Sequence, residues 1–243
     1  MNNTKVALIT GASRGIGRVL AEHCSAAGFR VVVAYHQNQV AANEVVSGIV
    51  RTGGAVWATP VNVADPAACN RMCRRVVEQE GRIDLLINNA GVSANNLLAN
   101  ISERSWDQVV DVCLKGTFSM IRACAEPMMK QKSGAIINIA SIAGARGLAG
   151  SANYAAAKGG VIALTKTAAK ELGCFGITVN AVLPGFHATD MGKTATDTYR
   201  ARIVEESVLH TTTDINELAR FVVLLAQSTT VSGQVFNWDS RIV

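Results

Sequence analysis

The chain has 243 residues, of which 49% are hydrophobic, 17% charged and 5% aromatic, with 21 glycines, four prolines and six cysteines. That length supports one large core, and the sparse prolines and lack of repeats exclude collagen-like, solenoid and disordered proteins. The net charge of +5 is scattered, with only Arg74 and Arg75 adjacent, so neither a nucleic-acid patch nor the ~20-residue apolar run of a membrane helix is expected.

Short apolar, β-branched runs at residues 5–10, 30–35, 55–61, 85–88, 135–139 and 178–183 predict strands buried on both faces. Segments of helical period lie between them. Ile16, Leu20, Cys24 and Ala27 recur at helical spacing up to Gly28, and residues 40–51 end at Gly53 and Gly54. Asp65 followed by Pro66 starts a helix that runs to about Glu80 and stops at Gly81. A long helix follows Ser102, and another covers about 153–172 after the glycine-rich loop 144–150. The polar, threonine-rich stretch 184–210 is the least regular and is expected to be a mobile substrate lid. No linker interrupts the chain, so residues 1–243 are expected to form a single α/β domain: a doubly wound parallel sheet with helices on both faces, its ligands at the C-terminal ends of the strands.

Only four apolar residues lie between Lys5 and Thr10, too few for a signal peptide, and the cysteines form no C-x-x-C pair. Cys69 and Cys73 share a helical spacing but have no histidine near them. The expectation is a cytoplasmic protein with reduced thiols and no metal site.

Directly after the first strand comes Thr10-Gly11-Ala12-Ser13-Arg14-Gly15-Ile16-Gly17. Three glycines where a strand turns into a helix let a pyrophosphate approach the helix N-terminus, so Gly11, Ser13, Arg14, Gly15, Ile16 and Gly17 are expected to bind a dinucleotide. The G-x-x-x-G-x-G spacing after a threonine resembles that of the short-chain dehydrogenase/reductase family. Further residues agree in order and spacing: Asn88-Asn89-Ala90-Gly91 after the fourth strand, Ser141 after the fifth, then Tyr154 and Lys158 thirteen and seventeen residues later. The segments 152–158 and Pro184-Gly185-Phe186 are most similar to those of bacterial 3-oxoacyl-acyl-carrier-protein reductases. The resemblance runs from Lys5 to about Asn237 and implies a Rossmann-like fold, a tetramer and a ketoreductase of fatty-acid biosynthesis.

Tyr154 and Lys158, four apart on one helix, share a face, so the ammonium favours the phenolate and suits Tyr154 to act as general acid. Ser141 would hydrogen-bond the carbonyl oxygen as charge develops on it. Taken singly, these residues could be a strand-end cap, a half-buried tyrosine and a surface lysine. The resemblance further implies that Lys158 holds the nicotinamide ribose, Asn62 and Val63 the adenine, and Asn89, Ala90 and Gly91 the cofactor's underside, while Thr189 and the backbone near His187, after Pro184 and Gly185, meet the carboxamide. At the end of strand two, Ala34-Tyr35-His36-Gln37 offers no carboxylate to the ribose, and Arg14 can pair with a 2′-phosphate. NADPH is therefore expected over NADH, although Arg14 as a solvated loop cation and His36 as a surface histidine remain open.

The chain departs from the family pattern at three places. Cys113 stands where the family commonly has an asparagine that holds a relay water; retained activity is expected. Of the two basic positions that dock the acidic carrier in the reductases it resembles, one matches Lys132, for which a solvated charge beyond the long helix is an equal alternative, and the other holds Phe175. The tail from Phe236 to Val243 replaces a common glycine pair. The expected reaction is NADPH-dependent reduction of a 3-oxoacyl thioester, carried on acyl carrier protein, in fatty-acid or polyketide-type synthesis. The alternatives are reduction of a free ketone, sugar or steroid, or a cofactor-binding assembly subunit without catalysis.

Overall fold

The computed structural model describes residues 4–187 and 197–243. Among them seven strands form one parallel sheet: β1 (Val6–Thr10), β2 (Arg30–Tyr35), β3 (Val56–Pro60), β4 (Leu85–Asn88), β5 (Gly134–Ile139), β6 (Ile177–Leu183) and β7 (Val235–Asn237), in the order β3-β2-β1-β4-β5-β6-β7. The order reverses beside β1, where β2 lies on one side and β4 on the other, and that opens a crevice at the C-terminal ends of β1 and β4.

The pleat explains why these runs are apolar throughout. In β1, Ala7 and Ile9 belong to one buried cluster, whereas Val6 and Leu8 belong to another on the opposite face. Leu85 and Ile87 of β4 join the first cluster and Leu86 joins the second. Helices α1 (Gly15–Ala26) and α2 (Gln39–Arg51) cover the first face, and α3 (Pro66–Glu80) lies on the second. Asp65 caps α3 through the Ala67 N–H, and Gly81 closes it in the left-handed region at φ 77°.

The expected long helix after Ser102 is interrupted. It runs as α4 (Glu103–Val110), a wide π turn (Asp111–Lys115) and α5 (Gly116–Gln131). From α5, Thr117 Oγ1 donates back to the Cys113 carbonyl of that turn at 2.8 Å. After β5 come the short α6 (Ile142–Arg146) and α7 (Ala152–Leu172). The stretch 184–210 is more ordered than expected where it is described: α8 (Asp197–Glu206) is helical and buries Ile203. Finally α9 (Ile215–Gln227), capped by Asp214, packs Leu218, Val222 and Leu225 into the first cluster.

A buried polar chain ties the sheet to α7. Asn88 Nδ2 donates to Asn138 Oδ1 at 2.9 Å, Asn138 Nδ2 donates to Thr165 Oγ1 at 2.9 Å, and that hydroxyl donates to the Val161 carbonyl at 2.8 Å. Buried amides need such partners, and here they fix the helix carrying Tyr154 against β5. Among the described residues all six cysteines are free, no metal-binding cluster occurs, and no helix is long and apolar enough to cross a membrane.

Candidate active site

The turn after β1 is a cradle that side chains would fill. Gly11 and Gly15 sit at φ 63° and 55°, where glycine is favoured. A Cβ on Gly17 would lie 2.4 Å from the Gly11 oxygen and 2.5 Å from Asn89 Nδ2. Arg14 precedes α1 in extended backbone and places no side-chain bond on the helix end, so the cap leaves the first N–H groups to a ligand. Ser13 is half-buried in the same turn and Ile16 reaches the adjoining cavity.

The turn is locked to the end of β4 by side chains from both strands. Thr10 Oγ1 accepts the N–H groups of Asn89 at 3.0 Å and Ala90 at 3.1 Å while donating to the Ile87 carbonyl. Asn89 Nδ2 donates to the carbonyls of Thr10 and Gly11, each at 3.0 Å. A narrow, amide-lined cradle at a helix start fits a diphosphate. Farther out, His36 is exposed just beyond β2, Asn62 is exposed with Oδ1 accepting the Ala64 N–H, and Val63 is buried against Gly116.

Ser141, Tyr154 and Lys158 come together through close packing of two helices. A Cβ on Gly144 in α6 would lie 2.5 Å from the Lys158 carbonyl carbon and 2.6 Å from Gly159 N, so only glycine lets α6 rest on α7 at this depth. Ser141 caps α6, its Oγ accepting the Ala143 N–H at 3.2 Å, a role that leaves its own hydrogen to donate. Lys158 is 3% exposed; its Nζ donates to the Ile139 carbonyl at 2.5 Å and lies 5.8 Å from the centroid of the Tyr154 ring. Asn153 fixes the start of α7 by accepting the Tyr154 N–H and donating to the carbonyls of Ala94 and Ser105.

Gly91 links this group to the cradle. A Cβ there would lie 3.9 Å from Lys158 Nζ and 3.6 Å from Cys113 Sγ. The Cys113 thiol accepts the Val92 N–H at 3.4 Å and donates to the Val92 carbonyl at 3.3 Å, the two bonds a side-chain amide could make with the same backbone.

Ser141 and Tyr154 face a cavity of about 610 Å³, which Pro184, Gly185 and His187 also line. Gly185 is at φ 80°, and a Cβ would lie 2.1 Å from Thr213 Oγ1. His187 is buried and donates from Nε2 to the Pro184 carbonyl at 2.7 Å; burial pushes its pKa below the ordinary histidine value. Thr189 lies outside the described residues. Of the carrier positions, Lys132 is exposed in the left-handed region and Phe175 is half-buried against the second cluster.

Four charged residues of the cavity were absent from the sequence expectations: Arg146, Arg202, Glu206 and Arg241. On α8 the helical spacing of Tyr199, Arg202, Ile203 and Glu206 was the available signal, since these share one face. Arg241 comes from the tail, where its guanidinium and Asp239 form an almost fully buried ion pair. Asn237 Nδ2 donates to the Arg241 carbonyl at 2.7 Å, and the Ser207 and Ser240 hydroxyls bond to each other, so the tail folds back beneath α8.

A parallel sheet with this glycine turn, and a serine, tyrosine and lysine at its C-terminal edge, defines a class of nicotinamide-dependent oxidoreductases. Residues 5–200 match the short chain dehydrogenase family, and the chain belongs to it. Its relatives include the 3-oxoacyl-[acyl-carrier-protein] reductase of Synechocystis, 41% identical over 98% of this chain and 97% of that protein. The reductase FabG of Staphylococcus epidermidis is 43% identical over 96% of both chains. A crystal structure of a candidate gluconate dehydrogenase from Agrobacterium tumefaciens superposes with a TM-score of 0.93 at 29% identity, covering 97% of this chain and 94% of that one.

Proposed function

We propose that this oxidoreductase uses NADPH to reduce a 3-oxoacyl thioester, carried on acyl carrier protein, to the 3-hydroxyacyl product of fatty-acid or polyketide-type synthesis. The observation that carries the reading is the joint placement of Ser141 and Tyr154 on one cavity with Lys158 buried behind them. The carrier-protein substrate is supported by the relatives' activity and by identity along almost the whole chain.

The residues that would hold the dinucleotide are Gly11, Ser13, Gly15, Ile16 and Gly17 at the diphosphate, Arg14 at the 2′-phosphate, Asn62 and Val63 at the adenine, and Asn89, Ala90, Gly91, Pro184, Gly185, His187 and Thr189 toward the nicotinamide. When bound, the reduced nicotinamide supplies the hydride for the carbonyl carbon. Ser141 donates its hydroxyl hydrogen to the carbonyl oxygen, stabilising the charge that grows there. Tyr154 delivers the proton to the same oxygen, and the ammonium of Lys158 stabilises the phenolate left behind. The Ile139 carbonyl orients that ammonium. Cys113 holds residue 92 beside Gly91 by its two thiol bonds, which supports retained activity without the usual asparagine.

The end of β2 supports NADPH, since residues 34–37 place no carboxylate beside a 2′-phosphate and His36 is exposed there. Residues 184–187 and α8 form the substrate-side wall, because Phe186, Tyr199, Arg202 and Ile203 face the cavity. Lys132 docks the carrier as a single cation, and Lys132→Glu is expected to weaken carrier binding.

The test is oxidation of NADPH, with NADH as comparison, by a 3-oxoacyl carrier protein, its small thioester analogue and a panel of free ketones. Turnover of the thioesters, preferably carrier-bound, is expected. A second reading, reduction of a free ketone or sugar, is favoured by the structural likeness to the candidate gluconate dehydrogenase. Reaction of the free ketones alone would establish it.

A further inference from the structure

We propose that Arg146 and Arg202, bridged by Glu206, form a subsite for an anionic group of the substrate, a carboxylate or a phosphate, at the rim of the cavity. The proposal rests on the assignment of Ser141 and Tyr154 as the groups that meet the substrate carbonyl. Arg146 is the last residue of α6, the helix that Ser141 caps. A rise of about 7 Å over five helical residues, plus the arginine side chain, separates the hydroxyl from the guanidinium. The anion would therefore lie several bonds away from the reacting carbonyl.

Arg202 and Glu206 are one turn apart on α8, across the cavity from α6. Glu206 Oε1 accepts from Arg202 Nε at 2.8 Å, and Oε2 accepts from Arg146 Nη2 at 2.5 Å. Both carboxylate oxygens are thus used, and the two arginines hold the Glu206 carboxyl below the usual carboxylate range. Each guanidinium has five N–H donors, so both keep donors beyond the bond to Glu206. The group carries one net positive charge. Arg241, the other lining cation among the described residues, is neutralised by Asp239.

Exposure of the Arg146, Arg202 and Glu206 side chains is 36%, 69% and 29%, which places them at the rim, within reach of a ligand arriving from solvent. The walls between this rim and Ser141 are mainly apolar, including Ile142, Leu148, Phe186 and Ile203. A clasp joining α6 to α8 would need one cation for its carboxylate. The second guanidinium gives the rim a preference for negative charge, and paired planar forks match carboxylate and phosphate oxygens.

The anion could be the phosphate of a pantetheine arm or a carboxylate at the far end of the acyl chain. Two ligand pairs separate these sources: 3-hydroxybutyryl-pantetheine with and without its 4′-phosphate, and the N-acetylcysteamine thioester of 3-hydroxyadipate with its far carboxyl free or methylated. Each is titrated calorimetrically into the protein with NADPH present, so that no turnover occurs. In one pair the anionic member is expected to bind about tenfold tighter, the scale of a partly exposed charge-assisted hydrogen bond. Arg146→Gln and Arg202→Gln should each remove most of that preference and leave the neutral member within about twofold of wild type. Glu206→Gln should increase the preference, because it removes the competing carboxylate. Equal binding within both pairs overturns the subsite, as does a Glu206→Gln variant that loses both members alike, the behaviour of a clasp. A preference that depends on the arginines, together with failure to reduce any thioester, upholds the subsite while overturning the thioester reading. Thioester reduction with no preference does the reverse.

Discussion

On the side of the cleft proposed for the dinucleotide, Gly11 and Gly17 leave backbone amides uncovered and the Asn89 side chain ties down the turn, so most of the geometry is written in the consecutive residues 11–17. On the substrate side, the cavity is assembled from side chains of α6, α7, α8 and the tail, which meet only after folding. The first surface hardly tolerates an added methyl group; the second takes its charge from side chains far apart in the sequence. One chain can thus keep the chemistry of its family while Arg146 and Arg202, at the cavity rim, supply the charge of the proposed subsite.

The largest effect is expected where the two sides meet. Tyr154→Phe keeps the ring beside Lys158 but removes the proton donor, and a loss of about 10³-fold in kcat is expected for general-acid removal. Binding of the dinucleotide, followed by fluorescence titration, should stay within a few-fold. If kcat survives, the division of labour between the sides is wrong, because the proton must then come from elsewhere.

Gly144→Ala should come next. The added methyl group meets the α7 backbone and pushes Ser141 away from Tyr154. A displacement of about 1 Å at a reacting group costs on the order of 10²-fold in kcat. Gly17→Ala makes the converse perturbation: its methyl group meets Gly11 and Asn89, so the dinucleotide Kd should rise while kcat at saturation falls less. Single-turnover kinetics beside equilibrium titration separates the two patterns, and identical behaviour of both variants would erase the contrast between the sides.

Thr165→Val tests what joins them. It keeps the side-chain shape but removes the acceptor of Asn138 Nδ2 in the chain from β4 to α7. A buried donor left without a partner costs about 2 kcal/mol, read as a lower urea midpoint at unchanged m-value.

The contrast also explains what the sequence could reveal. The strands at 30–35 and 85–88 were read without error because runs buried on both faces are continuously apolar, and the turn from Gly11 to Gly17 was readable because its constraint is local. The π turn at Asp111–Lys115 is not, since helical periodicity continues through it and the wider backbone bonding that defines it leaves no local residue pattern. Helix α8 leaves no helical signature in the sequence because only Ile203 in it is buried, too little for an apolar stripe. Arg146 and Glu206 are sixty residues apart, and no local pattern announces that they touch.

The smallest effect tests His187, expected at the nicotinamide through its backbone and found with its ring turned inward to the Pro184 carbonyl. Burial lowers the ring's pKa from about 6.5, outweighing the hydrogen bonds to Pro184 and Thr213 and the attraction of Asp239 and Asp214. The unfolded chain therefore takes up the proton first as the pH falls. The contribution to stability is whole above about 6.5 and is lost as the pH drops through the folded-state value. His187→Gln can keep the bond to Pro184 but cannot titrate, so melting temperatures of the two proteins should differ by a constant amount above neutrality and converge on acidification. Parallel curves throughout would mean that the ring is hydrated, and that Gly185 and its contact with Thr213 set the turn after β6 without help from the histidine.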